Sequence, residues 1–257
     1  MQEAYSNFAA CYDQLMDNIP YDEWFSYLHS LLKEYKIENG IIAELGCGTG
    51  NITELMAAAG YDMIGIDNSD AMLDIANQKK EANNSSSLYL LQDMREFELY
   101  GTVRAIISLC DSLNYVTDSD DLLQVFKLVN NYLDPKGLFI FDFHPRYYYK
   151  ELVADATIAE DRDDISFIWD NFYDEEEDIN ELALSLFVKE SDDNFESGSL
   201  YRKYQELHLQ RGYTLQEMKS LVTASGLELV ATYDAFTKEE ATEECERIYI
   251  IARESGK

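Results

Sequence analysis

A glycine-rich segment that follows an apolar run is the part of the chain best suited to hold a ligand. The run leads into Glu44, and glycines stand at Gly46, Gly48 and Gly50. Glycine tolerates the positive φ angles of a tight turn and leaves no side chain between the backbone and a ligand. A helical segment begins at Asn51, so the free N–H groups of its first turn can face a polar or anionic ligand group. The pattern predicts a strand, a binding loop and a helix N-terminus.

Two interpretations of this loop compete. A dinucleotide-binding fingerprint, G-x-G-x-x-G, needs a glycine where the chain has Asn51. The segment instead resembles the first motif of the class I S-adenosylmethionine-dependent methyltransferases, E/D-x-G-x-G-x-G. The resemblance implies that the loop binds S-adenosyl-L-methionine through Glu44, Gly46, Cys47, Gly48, Thr49 and Gly50. The alternative is an ordinary glycine-rich turn in an unrelated α/β domain.

Carboxylates also end the next two predicted strands. Asp67 lies about 20 residues beyond the loop, the usual distance for an acid that accepts hydrogen bonds from a ribose. Asn68 and Met72 belong to the helix start that follows, and we expect them beside the cofactor. In the family, the acid at the position of Asp93 accepts from the adenine amino group, and the next residue, Met94, covers the ring. Either aspartate could instead be a turn or helix cap.

The predicted fourth strand, residues 103–109, runs into Cys110, Asp111 and Tyr115. Ligands of open α/β sheets bind outside the carboxyl ends of the strands. We therefore expect Cys110 beside the cofactor and Tyr115 beside the substrate, near the transferable methyl group. If the reaction needs a base, Asp111 and His144, which follows the fifth strand, are the candidates by position. Both could equally be structural loop residues.

The first forty residues read as a helical unit. Residues 5–13 resemble the F-A-x-x-Y-D segment that folds over the cofactor as a lid in small-molecule methyltransferases. The resemblance implies that Tyr5 and Phe8 contact the substrate and that Tyr12 takes part in catalysis, and it draws attention to Asp13. The alternative is an amphipathic helix whose aromatic rings pack on the sheet.

Alternating strands and helices predict an α/β fold. Together with the resemblance they imply a doubly wound, seven-stranded, mostly parallel sheet. We expect a lid in residues 1–40, a cofactor-binding core in 41–144 and 212–257, and an inserted antiparallel β lid in 145–211. Two strands that follow a helix starting at Thr214 resemble the antiparallel hairpin that completes the family's sheet.

Strand-like runs separated by acidic turns predict an antiparallel meander within residues 145–211. One run places Tyr204, Glu206 and His208 on one face and leucines on the other. Such a half-polar face suits a substrate wall, with Tyr204 as the predicted contact. Residues 174–178 are consecutive acids on a polar turn, which are usually solvated, so we predict no metal site.

The net charge of −30, from 50 acidic and 20 basic residues, disfavours a nucleic-acid partner, because affinity for phosphates depends on Lys and Arg. It disfavours an anionic membrane surface for the same reason. No apolar run approaches the roughly 18 residues of a membrane span, and the N-terminus lacks the features of a signal peptide. Four scattered cysteines suggest neither a zinc site nor a disulfide framework, and favour the cytoplasm.

The resemblance implies an S-adenosylmethionine-dependent methyltransferase that acts by in-line displacement on an amine or hydroxyl of a small molecule. A tRNA nucleoside methyltransferase and a non-catalytic S-adenosylmethionine-binding module stay open as alternatives. An NAD-dependent oxidoreductase is disfavoured by Asn51. We expect a monomer or a homodimer.

Overall fold

The computed structural model describes residues 9–190 and 199–257. The strands are β1 (Ile41–Leu45), β2 (Asp62–Asp67), β3 (Leu88–Leu91), β4 (Val103–Ser108), β5 (Leu133–Phe143), β6 (Thr157–Asp161), β7 (Ile165–Asp174), β8 (Ile179–Lys189), β9 (Tyr201–Arg211), β10 (Glu228–Asp234) and β11 (Ile248–Arg253). The helices are α1 (Ala9–Leu15), α2 (Tyr21–Glu34), α3 (Asn51–Ala58), α4 (Asp70–Asn83), α5 (Ser119–Tyr132) and α6 (Leu215–Ala224). A 3₁₀ turn covers Ser112–Tyr115, and a π-helical turn covers Tyr148–Val153.

The larger sheet has seven strands in the order β10-β11-β5-β4-β1-β2-β3. Strands β1 to β5 run parallel, and β11 lies antiparallel to both β5 and β10. The predicted doubly wound, mostly parallel sheet is therefore confirmed. The strand order reverses between β1 and β4, which creates the crevice where such sheets bind ligands.

Apolar residues fill both faces of this sheet, as expected for parallel strands. Along β5, Phe139 and Phe141 face a cluster that includes the apolar stripe of α5. Leu138 and Ile140 face the other cluster, where the buried face of α2 packs. The N-terminal helix α2 is thus part of the core. No helix within the described residues is long and apolar enough to cross a membrane.

The insert after β5 forms a separate antiparallel sheet in the order β6-β7-β8-β9. The sequence predicted three of these strands and missed β6, which is short, acidic and mostly exposed and so has no apolar alternation. The acidic run 174–178 forms the turn between β7 and β8. A second acidic segment between the strand-like runs, residues 191–194, lies outside the described residues.

Residues 134–137, whose Pro and Gly are typical of a turn, interrupt strand β5. Leu133 pairs with Val103, whereas Leu138 already pairs with Ala105, so the intervening residues loop out of the ladder. Lys136 has a φ of 64°, and its backbone N–H donates to Glu254. The strand therefore continues through a segment that its Pro and Gly had marked as a turn.

Helix α1 joins the two sheets. Its Cys11 and Leu15 pack with Phe167 and Leu184 of the second sheet in a small apolar cluster. This contact closes the second sheet over the ligand-binding edge of the first.

Candidate active site

The glycine loop between β1 and α3 is shaped for close approach of a ligand. Gly46, Gly48 and Gly50 have φ angles of 70°, 52° and 77°, in the left-handed region. A Cβ atom on Gly46 would lie 2.6 Å from the Cβ of Ser112. Gly50 caps α3, so the free N–H groups of that helix begin at the loop.

Asp67, at the end of β2, braces this loop. Its carboxylate accepts hydrogen bonds from the backbone N–H of Gly48 at 2.8 Å and of Ser69 at 2.9 Å. Burial raises the pKa of Asp67, and the backbone donors oppose that shift. The carboxylate lines the cavity above the loop and keeps acceptor capacity for a ligand.

Glu44 lies beneath the loop and accepts a hydrogen bond from the hydroxyl of Thr53. Burial raises the pKa of Glu44 to about 8. At neutral pH this side chain therefore holds a proton. Burial also raises the pKa of the Cys47 and Cys110 thiols, so neither is a thiolate.

A cavity of about 540 Å³ lies at the carboxyl ends of β1, β2, β3 and β4, and we name it the cofactor cavity. Of the predicted cofactor residues, those that line it are Glu44, Gly46, Cys47, Gly48, Thr49, Asp67, Asn68, Met72, Asp93, Met94 and Cys110. Gly50 lies just behind it as the cap of α3. The guanidinium of Arg95 hydrogen-bonds both oxygens of Asp93 and holds the pKa of that carboxyl below its usual range.

Asp13 of α1 fastens the helix to the glycine loop. Its carboxylate accepts from the Thr49 hydroxyl at 2.8 Å and the Asn51 amide at 3.0 Å, and it lies 2.6 Å from the Lys79 ammonium. Burial acts to raise the pKa of Asp13, but these hydrogen bonds outweigh it and lower the pKa. The contact, which we name the α1 clasp, places Tyr12 in the cavity wall.

A second cavity of about 370 Å³, which we name the acceptor cavity, adjoins the first. Three residues line both cavities: Tyr12, Cys110 and Tyr115. The rest of its wall comes from α1, α2 and the residues between them, the π-helical turn, the strands of the second sheet, and Asp111, His144 and Arg247 of the main domain. The structure therefore brings Tyr12 and Tyr115 to the junction, as the sequence had suggested for a site of transfer.

Arg247, directly before β11, holds together one wall of the acceptor cavity. Its guanidinium donates to Asp111 at 2.8 Å and to Asp142 at 3.0 Å. Asp142 also accepts from the backbone N–H groups of Cys110 and Asp111, at 3.3 and 2.8 Å. Both of those residues have positive φ angles, so the buried carboxylate stabilises a strained loop. Burial raises the pKa of Asp142 to about 6.

His144 lines the acceptor cavity, but its ring nitrogens are engaged. Nδ1 lies 2.7 Å from the carbonyl oxygen of Glu246, and Nε2 lies 2.6 Å from a guanidinium nitrogen of Arg247. Nδ1 therefore donates, and the Nε2 lone pair accepts. Burial and the positive charge of Arg247 lower the pKa of His144 to about 3. The imidazole is neutral at physiological pH. It therefore forms no ion pair with Asp111, although the two side chains lie 3.7 Å apart.

The remaining predicted residues have different outcomes. Tyr204 packs against the apolar cluster around Cys11 and lines neither cavity, because it lies nearer the far end of β9. Tyr5 and Phe8 lie outside the described residues. Asp111 lines the acceptor cavity, where Gln210 donates to it at 2.8 Å in addition to Arg247.

Three polar side chains of the acceptor cavity have buried atoms without a hydrogen-bond partner: the hydroxyl of Tyr149, the indole N–H of Trp169 and the amide oxygen of Asn180. A buried polar atom without a partner costs about 1–3 kcal/mol. Since these atoms have almost no accessible surface, a polar molecule in the cavity would reach them after a small shift of the side chains. Sequence reasoning missed all three, because each lies in the insert, where no family motif guides the choice.

Arg247 and Asp142 were also missed, although both leave a signal in the sequence. Asp142 is the one charge in the apolar run 138–143, and Arg247 follows an acidic stretch directly before another apolar run. A buried strand that contains a single charge needs a partner of opposite charge. A search for complementary charges on neighbouring buried strands would have paired them.

Comparisons with known proteins identify the family. Residues 42–137 match the methyltransferase domain. The chain is 34% identical to YqeM of Bacillus subtilis (strain 168), a protein named as a methyltransferase, over 98% of this chain and 97% of that one. The chain belongs to the S-adenosylmethionine-dependent methyltransferases. A crystal structure of such a methyltransferase from Clostridium acetobutylicum superposes with a TM-score of 0.86 at 25% identity, over 99% of this chain and 100% of that one.

The fold of this methyltransferase is also that of CalS10, an amino pentose methyltransferase from Micromonospora echinaspora solved with S-adenosylmethionine bound. The TM-score is 0.73 at 15% identity, and the match covers 99% of each chain. The predicted cofactor, S-adenosyl-L-methionine, is confirmed for the family. The residues here fit it, since the glycine loop lines the cavity without side chains at Gly46 and Gly48, and Asp67 offers an acceptor. When bound, the cofactor supplies an electrophilic methyl group on a sulfonium.

Proposed function

We propose that this methyltransferase transfers the methyl group to an amine or hydroxyl of a small molecule held in the acceptor cavity. The observation that carries the proposal is the shared wall of the two cavities at Tyr12, Cys110 and Tyr115. An in-line displacement needs the acceptor atom and the methyl group in contact and shielded from water, and catalysis is mainly alignment. A junction between two adjoining cavities meets that need, and it favours turnover over simple cofactor binding.

The chemistry of the acceptor cavity supports a polar, uncharged or cationic molecule. Its unpartnered atoms at Tyr149, Trp169 and Asn180 offer both donors and acceptors. The guanidinium of Arg247 already forms ion pairs with Asp111 and Asp142, so it is not available to bind an acidic substrate. Asp111 adds negative charge that would attract the protonated form of an amine. The related fold of an amino pentose methyltransferase is consistent with an amine acceptor.

We assign roles to the residues of the cofactor cavity on the same basis. Asp67 would accept from the ribose hydroxyls, and Asp93, kept ionised by Arg95, from the adenine amino group. Met94 would cover the adenine ring, with Asn68 and Met72 completing the wall. The positively charged sulfonium would lie near the aromatic ring of Tyr12, which is favourable for a cation.

We also propose a division of the chain by role. Residues 41–144 and 212–257 would bind the cofactor, and residues 145–211 together with 1–40 would enclose the acceptor. The four cysteines are free thiols in the structure, and their chemistry suits the reducing cytoplasm.

The test is transfer of labelled methyl from S-adenosylmethionine to probes that share one carbon skeleton, namely cyclohexylamine, cyclohexanol and cyclohexanecarboxylate, with bulk tRNA as a fourth probe. We expect label in the amine or the alcohol and none in the carboxylate or tRNA. Trp169→Phe, which removes the indole donor, should lower transfer without changing cofactor affinity. Phe172→Leu, on the exposed face of the same strand, is the matched control. Labelling of tRNA, or no transfer to any small acceptor, would overturn the proposal.

A further inference from the structure

Strand β9 has an inverted pattern of burial. Glu206, His208 and Gln210 are buried, whereas Leu207 and Leu209 are 51% and 41% exposed. A strand on a sheet that covers a core normally turns its leucines inward. Burying ionisable groups in their place costs free energy unless they are paired. The inverted face therefore points to a role that apolar residues would not serve.

The buried groups of β9 continue into the junction of the two cavities. The Tyr115 hydroxyl lies 3.3 Å from Nδ1 of His208, and Nε2 of His208 lies 3.4 Å from the Glu206 carboxylate. The side chains of His208 and Glu206 are 2% and 1% exposed. Tyr115 lines both cavities and His208 lines the acceptor cavity. The three side chains thus lie in a row that leads into the second sheet, with a hydrogen bond between Tyr115 and His208 and a close approach of His208 to Glu206.

The partners define a direction for proton movement. Carboxylate oxygens accept hydrogen bonds, so the approach of Glu206 to Nε2 favours the imidazole tautomer whose proton is on Nε2. Nδ1 then carries the lone pair and faces the Tyr115 hydroxyl. A proton that moves from Tyr115 to Nδ1 makes an imidazolium beside the Glu206 carboxylate, which stabilises it.

The other candidate bases at the acceptor cavity are committed elsewhere. One oxygen of Asp111 accepts from Arg247 and the other from Gln210. The Nε2 lone pair of His144 accepts from Arg247, and its pKa is lowered to about 3 by burial and that charge. The Cys110 thiol has a pKa raised by burial.

We propose that Tyr115, His208 and Glu206 form a proton relay that removes the acceptor's proton during transfer. The inference rests on the proposed function, since it requires an acceptor that carries a proton. The acceptor's lone pair bonds to the methyl carbon as the carbon–sulfur bond breaks and leaves its electron pair on sulfur. The acceptor's proton passes to the Tyr115 oxygen, and the Tyr115 proton passes to Nδ1 of His208. Tyr115 touches the acceptor, while Glu206 is a positioning residue.

The first arm of the test reads the tautomer by nitrogen NMR of the imidazole rings in complex with S-adenosylhomocysteine. The chain has three histidines, so a His208→Gln spectrum assigns the His208 signals. We expect protonated Nε2 and bare Nδ1 on His208. Tyr115→Phe should shift the Nδ1 signal, and Glu206→Gln should weaken the preference for that tautomer. The signals of His29, on α2, serve as the control. A proton on Nδ1 would overturn the relay whatever the protein methylates.

The second arm compares transfer to cyclohexylamine with transfer to dimethyl sulfide, an uncharged nucleophile whose methylation releases no proton. Proton removal by a positioned group contributes about 10²–10⁴-fold. We therefore expect the ratio of amine to sulfide transfer to fall at least about tenfold in His208→Gln and Glu206→Gln, and to stay unchanged in His29→Gln. An unchanged ratio in the relay variants would overturn the relay. Absence of transfer to either probe by the unaltered protein, with the expected tautomer present, would count against the proposed acceptor class instead.

Discussion

At the scale of single residues, burial acts in opposite directions on two titratable side chains of the site. It raises the pKa of Glu44 to about 8 and lowers that of His144 to about 3. In both cases the neutral form is favoured, because a low-dielectric surrounding disfavours charge. Both are therefore uncharged at neutral pH, one beneath the glycine loop and the other beside Arg247.

Glu44 makes the stability of the protein depend on pH. Between about pH 4.5 and pH 8 the unfolded chain has lost the Glu44 proton and the folded chain keeps it. Raising the pH therefore favours unfolding, by up to about 1.4 kcal/mol per pH unit from one group. Glu44→Gln removes the titration while keeping the size of the side chain. We expect the stability of the unaltered protein, relative to this variant, to fall as the pH rises from 5 to 8.

The measurement is denaturant unfolding of both proteins at pH 5.5, 6.5 and 7.5. Other buried acids, such as Asp142, titrate alike in both and cancel in the difference. Parallel stability profiles would show that Glu44 is ionised in the folded protein and would contradict the account.

The sequence predicted the residues whose chemistry follows from one motif and its spacing. The glycines, Asp67 and Asp93 belong to that group, and the structure places their side chains or backbone around one cavity or directly behind it. Arg247 was not predicted as a site residue, and His208 was placed only on the polar face of a predicted substrate wall. Their roles depend on partners far away in the chain, Tyr115 and Asp111, which only the tertiary fold brings near.

At the scale of elements, the loop between β1 and α3 depends on the absence of a side chain at Gly46. Gly46→Ala would place a methyl group 2.6 Å from Ser112 at a φ of 70°. We expect a loss of about 1–3 kcal/mol in stability and weaker cofactor binding. Thermal unfolding and calorimetric titration with S-adenosylhomocysteine measure both.

Gly101→Ala is the matched control, because a methyl group there meets no atom within 4 Å. It should leave both stability and affinity close to those of the unaltered protein. A Gly46→Ala variant that binds the ligand and unfolds like the control would contradict the claim that the loop needs a residue without a side chain beside Ser112.

The α1 clasp makes a second prediction at this scale. Asp13→Ala removes two hydrogen bonds and an ion pair, which together hold α1 over the cofactor cavity. Since the ion pair is partly exposed, its contribution is small. We expect about a three- to tenfold rise in the dissociation rate of S-adenosylhomocysteine, which stopped-flow displacement measures. Asp22→Ala, on the exposed side of α2, should leave the dissociation rate unchanged. Equal dissociation rates for the two variants would show that the α1 clasp does not retain the ligand.

Helices with one-sided apolar patterns, such as α2 and α5, were predictable because the spacing of apolar residues along the local sequence defines the buried face. Strand β6 was not, since it lies at a sheet edge and pairs through its backbone while its side chains stay exposed. The interruption of β5 at residues 134–137 carried the composition of a turn, and only its pairing with β4 shows that the strand continues.

At the scale of the whole molecule, the acceptor cavity exists because α1 and the second sheet close over the main sheet. Its wall combines Tyr12, His208 and Arg247, which are separated by most of the chain. No local pattern could have predicted that assembly. The cofactor cavity, in contrast, is formed by consecutive strand ends, and the order of motifs along the chain was enough to place it.

The central claim is that the cavity above the glycine loop holds S-adenosylmethionine through Asp67. The most direct measurement is calorimetric titration with S-adenosylmethionine, S-adenosylhomocysteine and NAD of the unaltered protein, Asp67→Ala and Asp62→Ala. Asp62 starts the same strand, β2, and is exposed there. Hydrogen bonds to a charged group contribute about 1.5–3 kcal/mol, or roughly 10- to 100-fold in affinity.

The account predicts that both sulfur compounds bind, that Asp67→Ala weakens them by at least about tenfold, that Asp62→Ala does not, and that NAD does not bind. Unchanged affinity in Asp67→Ala, or binding of NAD alone, would contradict it.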